Sequence, residues 1–211
     1  MSIPPTLGLI LAGGLALRMG GTDKARIRIG GATILERILA GFAPQCRQLI
    51  LNANDDPARF ADTNLPIVVD SVPGHAGPLA GILAGLDWAA MHAAGIEWIA
   101  SVPSDCPFLP RDLVARLHRA RGDAGTQLAC AASAGRRHPV IGLWPAALRE
   151  DLRRALVSEG VRKVELWTAR HRVAVAEWPA AAFDPFFNVN TAEDAAEAER
   201  IAAQLAKSDS R

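Results

Sequence analysis

Short apolar runs, each closed by a polar residue or by glycines, alternate along this chain with stretches of helical periodicity. "LGLILA" (Leu7–Ala12) is apolar throughout and stops at Gly13-Gly14. A strand without a polar face is covered on both sides, as in a parallel sheet. "QLILNA" (Gln48–Ala53), "LPIVVD" (Leu65–Asp70) and "EWIASVPSD" (Glu97–Asp105) repeat the pattern, with Asn52, Asp70 and Asp105 at their carboxyl ends. Between them, "TILERILAGF" puts Ile34, Leu35, Ile38, Leu39 and Phe42 on one helical face. Thr33 and Glu36 have the spacing of a capping box, which satisfies free N–H groups at a helix start. A second helix is expected from about Leu79 to Ala94, and "RDLVARLHRAR" predicts a third, amphipathic one.

In the second half, "TQLACAAS" and "HPVIGLWP" flank the turn "AGRR" and predict a small hairpin. Helical segments near Ala146–Ser158 and Val161–Ala169 follow, then "RVAVAEW" as a last, edge strand. A C-terminal helix starts near Ala192, opened by Thr191 and Asp194, with "KSDSR" frayed at its end. Strands alternating with helices predict an α/β fold with a doubly wound, mostly parallel sheet. No repeat, linker or break in composition divides the chain, so one domain over residues 1–211 is expected. In such sheets ligands sit beyond the carboxyl ends of the strands. That rim gathers Asn52, Asp70, Asp105 and the glycine-rich loop after the first strand.

Composition narrows the ligand. Half of the 211 residues are hydrophobic, and 23 Lys and Arg against 22 Asp and Glu leave a formal charge of +1. Such a balance gives no general attraction to nucleic acid or to an anionic membrane, so an anion must be caught locally. Cys46, Cys106 and Cys130 are odd in number and far apart, which favours reduced thiols in a cytoplasmic protein over a disulfide framework or a zinc site. The amino terminus lacks the basic start of a secretory signal. The apolar stretch Leu79–Val102 carries Asp87, His92 and Glu97, against a membrane span.

The local catch is "LAGGLALRMGGTDK", Leu11 to Lys24. Neither G-x-G-x-x-G nor G-x-x-x-x-G-K-[ST] matches it. Its glycines nevertheless allow backbone N–H groups to approach phosphate oxygens. Arg18 offers a planar fork, and Lys24 a compact charge that can follow charge developing on a phosphate. A solvated surface loop is the plain alternative.

L-A-G-G-x-x-x-R-M-G-G-x-D-K resembles the signature of the molybdenum cofactor guanylyltransferases, of the sugar-nucleotidyltransferase-like superfamily. "NAN" (Asn52–Asn54), "VVD" ending at Asp70, "GPLAG" (Gly77–Gly81), "PSDCPFLP" (Pro103–Pro110), "HPV" (His138–Val140) and "NVNTAED" (Asn188–Asp194) follow in that family's order, so the likeness covers essentially the whole chain. It implies a Rossmann-like nucleotidyltransferase fold, with a nucleotide-binding half over about 6–110 and an acceptor-binding half over about 111–206. It implies transfer of GMP from GTP to the terminal phosphate of molybdopterin, with release of pyrophosphate. Leu11, Ala12, Gly13 and Gly14 would line the nucleotide, with Arg18 and Lys24 at the phosphates. Asn52 and Asp70 would hold the guanosine, and Gly77, Pro78 and Leu79 would form a base-recognition loop through backbone groups. Asp105 would carry Mg²⁺, with Mn²⁺ as a substitute, while Asn188 and Asn190 would face the acceptor.

The acceptor phosphate is already ionised at neutral pH, so no general base is required. Catalysis by Arg18, Lys24 and Asp105 with its metal would rest on positioning and charge neutralisation. Plain alternatives stand beside these roles: Asp105 as a turn or cap residue, Asp70 as an Asx-turn, "NVNT" as a helix N-cap. His138 reads as structural or as part of the acceptor rim, Arg136 and Arg137 as an exposed turn, and Cys106 as packing. A CTP-dependent transferase acting on the same cofactor, or a non-catalytic nucleotide or cofactor carrier, are the rival functions. The family also implies transient contacts with a molybdenum-insertion protein and molybdoenzyme chaperones, and a monomer is expected.

Overall fold

The first apolar run is the central strand of the sheet, β1 (Thr6–Leu11). It is buried on both faces: Leu7 and Leu9 pack on one side and Ile10 on the other. The computed structural model describes residues 3–13, 24–54, 56–72 and 77–209. Beyond β1 a two-residue antiparallel ribbon, β2 (Arg28–Ile29) and β3 (Ala32–Thr33), leads into α1 (Ile34–Phe42). The capping box of α1 is formed: Thr33 Oγ1 accepts from the Glu36 N–H, and the Glu36 carboxylate accepts from the Thr33 N–H. Ile34, Leu35, Ile38 and Phe42 are buried, as their spacing requires.

β4 (Gln48–Asn52) and β5 (Ile67–Val68) follow, then α2 (Pro78–His92), β6 (Trp98–Pro103) and α3 (Leu113–Ala124). The rest of the chain runs β7 (Leu128–Ser133), β8 (Arg136–Pro145), α4 (Arg149–Val157), α5 (Val164–Thr168), β9 (Val173–Trp178) and α6 (Ala192–Asp209). Seven strands join in the order β5-β4-β1-β6-β8-β7-β9. All neighbours are parallel except β8, which runs against both β6 and β7. One face is covered by α1, α3 and α6, the other by α2, α4 and α5. The expected doubly wound, mostly parallel sheet is therefore present.

Four details differ from the sequence pattern. The strand expected over Leu65–Asp70 pairs only at Ile67 and Val68, because it is an edge strand and Pro66 has no N–H to donate. The hairpin is not an appendage: β8 is inserted between β6 and β7 and completes the sheet. Arg136 and Arg137, expected in the turn, begin β8; the turn is Ala134-Gly135, with φ of 48° and 73°. Lys207, expected in a frayed tail, is still helical.

The hairpin also contains a bulge. Cys130 pairs with Gly142 and the next residue, Ala131, with His138, leaving Pro139, Val140 and Ile141 without register partners on β7. Bulges re-aim side chains and bend a strand. Here Ser101 Oγ donates to Val140 O at 2.6 Å and accepts from Trp144 Nε1 at 2.7 Å. This buried chain of two bonds fixes the bulge against β6.

Candidate active site

β1, β4 and β6 end on one rim, and backbone bonds continue the sheet past their last residues. The Ala12 N–H donates to Asn52 O at 2.8 Å and the Ser104 N–H to Leu11 O at 3.0 Å. A cavity of about 500 Å³ opens on this rim. Leu11, Ala12, Gly13, Lys24, Asn52, Asp70, Gly77, Pro78, Asp105 and Asn188, each expected at the site, line it. Pro103, Ser104 and Val140 line it too. The first two lie in "PSDCPFLP" and the third in "HPV", but nothing in those strings shows that a bulge turns Val140 to the cavity. Gly14 and Arg18 lie outside the described residues.

Leu79, expected to act through its backbone, has its side chain fully buried in the core and is not among the residues that line the cavity. It sits in the first turn of α2, on the face packed against the sheet. Gly77 precedes this turn with φ 74° and ψ −168°, a conformation favoured by glycine, and Pro78 occupies the first helical position. Gly81 explains the rest of "GPLAG". A Cβ there would lie 2.4 Å from Asn52 Oδ1 and 2.6 Å from Leu11 Cδ2. Only a glycine lets α2 lie this close to β1 and to Asn52.

Asn52 is 3% exposed, and its amide donates to Val68 O at 3.1 Å and to Asp70 Oδ1 at 2.9 Å. Asn54 Nδ2 donates to Asp70 Oδ2 at 2.8 Å, and the Asp70 N–H donates to Asn54 Oδ1 at 2.8 Å. The spacing N-A-N thus puts two amides on one side of an extended chain, where both grip one carboxylate. This is no Asx-turn. Asn54 belongs to the site as the holder of Asp70, a part the motif alone did not give it.

Lys24 opens a short 3₁₀ turn, and its Nζ donates to Asn190 Oδ1 at 2.8 Å. Asn190 does not line the cavity itself; it reaches the site through Lys24. Asn188 Nδ2 donates to Asp105 Oδ1 at 2.9 Å, and the Val189 N–H to Asp105 O at 2.9 Å. Burial pushes the Asp105 carboxyl above the usual carboxylate range; the charge of Lys24, its own backbone, the Asn188 amide and the Cys106 thiol pull it back. "NVNT" does cap a helix as well: Asp194 Oδ2 accepts from the Asn190 and Thr191 N–H groups, and Thr191 Oγ1 accepts from the Asp194 N–H.

Among the described residues no group of three or more His, Cys, Asp or Glu could hold a metal ion. The donors at Asp105 are oxygens, with a half-buried carboxylate whose ionised form a cation would favour. That set fits a hard divalent ion that keeps its waters and shares phosphate oxygens, and it does not fit zinc. Cys106 is fully buried, and burial followed by the charges of Asp105 and Asp184 raises its pKa well above that of a free thiol. It stays a thiol and packs. His138 is buried and bonds Ser133 away from the cavity, while Arg137 lines a separate cavity with Pro139 and Glu165.

The likeness to known proteins agrees with this geometry. The family model for the MobA-like NTP transferase domain matches residues 8–175. The molybdenum cofactor guanylyltransferase of Bradyrhizobium sp. (strain ORS 278) is 63% identical over 196 residues, covering 93% of this chain and 92% of that protein. That of Nitrobacter hamburgensis is 59% identical over 203 residues, covering 96% and 97%. Among solved structures, molybdopterin-guanine dinucleotide biosynthesis protein A from Archaeoglobus fulgidus superposes with a TM-score of 0.71 at 23% identity, covering 94% of this chain and 99% of that one. At that identity the superposition speaks for the fold, while the match over 8–175 and the full-length relatives speak for descent. With most of β1, the Asn52–Asp70 grip and the Asp105 rim inside the matched span, the chain belongs to the MobA-like NTP transferase family.

Proposed function

We propose that this protein transfers GMP from GTP to the terminal phosphate of molybdopterin, giving molybdopterin guanine dinucleotide and pyrophosphate. One observation carries the reading: Lys24 and Asp105, a cation and a carboxylate far apart in sequence, line one rim cavity, where Asn188 bonds Asp105 and Asn190 bonds Lys24. Val140 and Asn188 are the lining residues that come from beyond residue 110. The cavity volume lies within the range of small-molecule sites.

A phosphate oxygen of the acceptor attacks the α-phosphorus of GTP. The bond from that phosphorus to the β-phosphate bridging oxygen breaks, and pyrophosphate leaves with the electron pair. Two anions must approach, so charge neutralisation dominates. Lys24 Nζ, held by Asn190, supplies positive charge beside the phosphates, with Arg18 as a second cation. Asp105, oriented by Asn188, is the residue that would hold Mg²⁺ or Mn²⁺. When bound, that ion adds positive charge to the transferring phosphoryl group. Asp70, with each oxygen already on one amide, retains lone pairs for a ligand. A carboxylate is acceptor-only and suits the two adjacent donors of guanine, whereas cytosine presents one donor beside an acceptor. This favours GTP over CTP, in line with the names of the relatives. No helix among the described residues is long and apolar enough to cross a membrane.

The reading is tested by mass spectrometry of the products formed from GTP, Mg²⁺ and molybdopterin. Molybdopterin guanine dinucleotide should form, and only with all three present. GTP binding without product would favour a carrier.

A further inference from the structure

Both acceptor-side asparagines lie on the segment 184–191, which joins β9 to α6 and has no regular structure. Its far end is anchored by a buried polar chain outside the cavity. Asp184 Oδ1 accepts from Ser133 Oγ at 2.7 Å, and Ser133 Oγ lies 2.7 Å from His138 Nε2. Ser133 is fully buried and His138 is 6% exposed. A hydroxyl has one proton, and a carboxylate only accepts, so Ser133 donates to Asp184 and His138 donates its Nε2–H to Ser133.

From Asp184 the order passes along the segment. Asp184 Oδ1 also accepts from the Phe186 N–H at 2.8 Å, and Asp184 O accepts from the Phe187 N–H at 3.0 Å. The Phe186 ring lies 4.9 Å from His138 and 5.2 Å from Trp178, and Phe186 O faces the Cys106 thiol at 3.6 Å. Two residues on, Asn188 and Val189 bond Asp105. Apolar packing alone would hold the segment in the core but leave it free to slide. Directional bonds at a part-buried carboxylate fix its register.

We propose that His138 and Ser133 are positioning residues for the transfer step: through Asp184 they hold the strap that sets Asn188 on Asp105 and Asn190 on Lys24. The β7–β8 hairpin is thereby tied to the metal-binding carboxylate. This rests on the transfer reading above, but its structural half is testable without substrates. A shift of about 1 Å in a group that orients reacting phosphates costs on the order of a hundredfold in rate.

The test uses the full chain with Ser133→Ala, His138→Phe and His138→Gln. Phenylalanine keeps a ring against Phe186 and removes the donor; the Gln amide can supply an N–H near the place of Nε2–H. Two quantities are read: kcat and KM for GTP at saturating acceptor, and amide hydrogen exchange of Val189 compared with amides of β1 and β6. Ser133→Ala and His138→Phe should lower kcat at least tenfold with KM for GTP within threefold, and speed Val189 exchange at least tenfold while β1 and β6 stay protected. His138→Gln should recover most of both. Unchanged Val189 exchange in both disabling variants would overturn the proposal, as would loss of kcat accompanied by equal deprotection of β1 and β6, which would mean that only the fold had suffered. Failure of the parent enzyme to turn over would sink the transfer reading and leave the exchange result standing on its own.

Discussion

Asp105 illustrates how a residue can be unfavourable for the fold and useful for the reaction. Burial raises its pKa, so the free protein bears a cost for keeping it ionised. In the proposed reaction a cation bound by Asp105 would remove that cost. Asp105→Ala should therefore fold, with a melting temperature within about 3 °C of the parent, yet lose transfer by at least about a hundredfold, about 3 kcal/mol in the barrier. Lys24→Ala, which removes the Nζ bonded to Asn190, should show the same split. Near-parental turnover in either variant, measured as pyrophosphate release, would remove that residue from the mechanism. That Asp105 and Lys24 line the rim was legible in the sequence, from a carboxylate at a strand end and a lysine closing the glycine-rich loop. Their holders were not. Asn54 and Ser133 are small polar residues whose value depends on partners 16 and 51 positions away, and no local pattern announces such a pairing.

At the scale of elements, α2 and α3 make separate predictions. Gly81→Ala puts a Cβ against Asn52 and Leu11. Either α2 backs away from β1 or Asn52 rotates, so the variant should lose about 1–3 kcal/mol of stability and raise KM for GTP roughly tenfold, checked by urea unfolding and steady-state kinetics. On α3, His118 is buried with Nε2 at 2.8 Å from Thr6 Oγ1, whose proton goes to Pro4 O, and its Nδ1 has no partner among the described residues. Burial, then the charge of Arg121, lowers its pKa from 6.5 to about 4. The native state thus keeps His118 neutral where the unfolded chain is protonated. Between those values the unfolded state binds more protons, so stability rises with pH through that window and is fully present above about 6.5. The change is at most about 3 kcal/mol. Urea unfolding of the parent and His118→Gln at pH 7 and pH 4.5 checks it: the parent should lose more stability on acidification than the variant, and an equal loss would contradict the assignment.

The elements themselves were legible to different degrees for physical reasons. α1 was readable to the residue, because its capping box and apolar face are local. β5 was overestimated because apolar residues alone do not make a strand: at the sheet edge Pro66 has no N–H to pair, and only Ile67 and Val68 join β4. The pairing of "TQLACAAS" with "HPVIGLWP" was visible, but the place of β8 between β6 and β7 was not. That insertion depends on Trp98 to Ser101 of β6 meeting Gly142 to Pro145 of β8, a match of two segments over 40 residues apart. The bulge that brings Val140 to the cavity is hidden for the same reason.

For the whole molecule, one rim gathers what the chain disperses. The glycine-rich loop follows β1, the Asn52–Asp70 grip lies beyond β4 and β5, and Asp105 lies beyond β6. The strap after β9 brings in Asn188 and Asn190. Parallel strands place all these carboxyl ends together, which is why a single site can use residues from 11 to 190. The central claim is that this rim transfers a guanylyl group to a phosphate acceptor. Its most direct measurement is pyrophosphate release with Mg²⁺ and either GTP or CTP, each with and without molybdopterin. GTP should release pyrophosphate only when the acceptor is present, and CTP should give at least about a hundredfold less. Equal release with CTP, or release with GTP that ignores the acceptor, would contradict that claim.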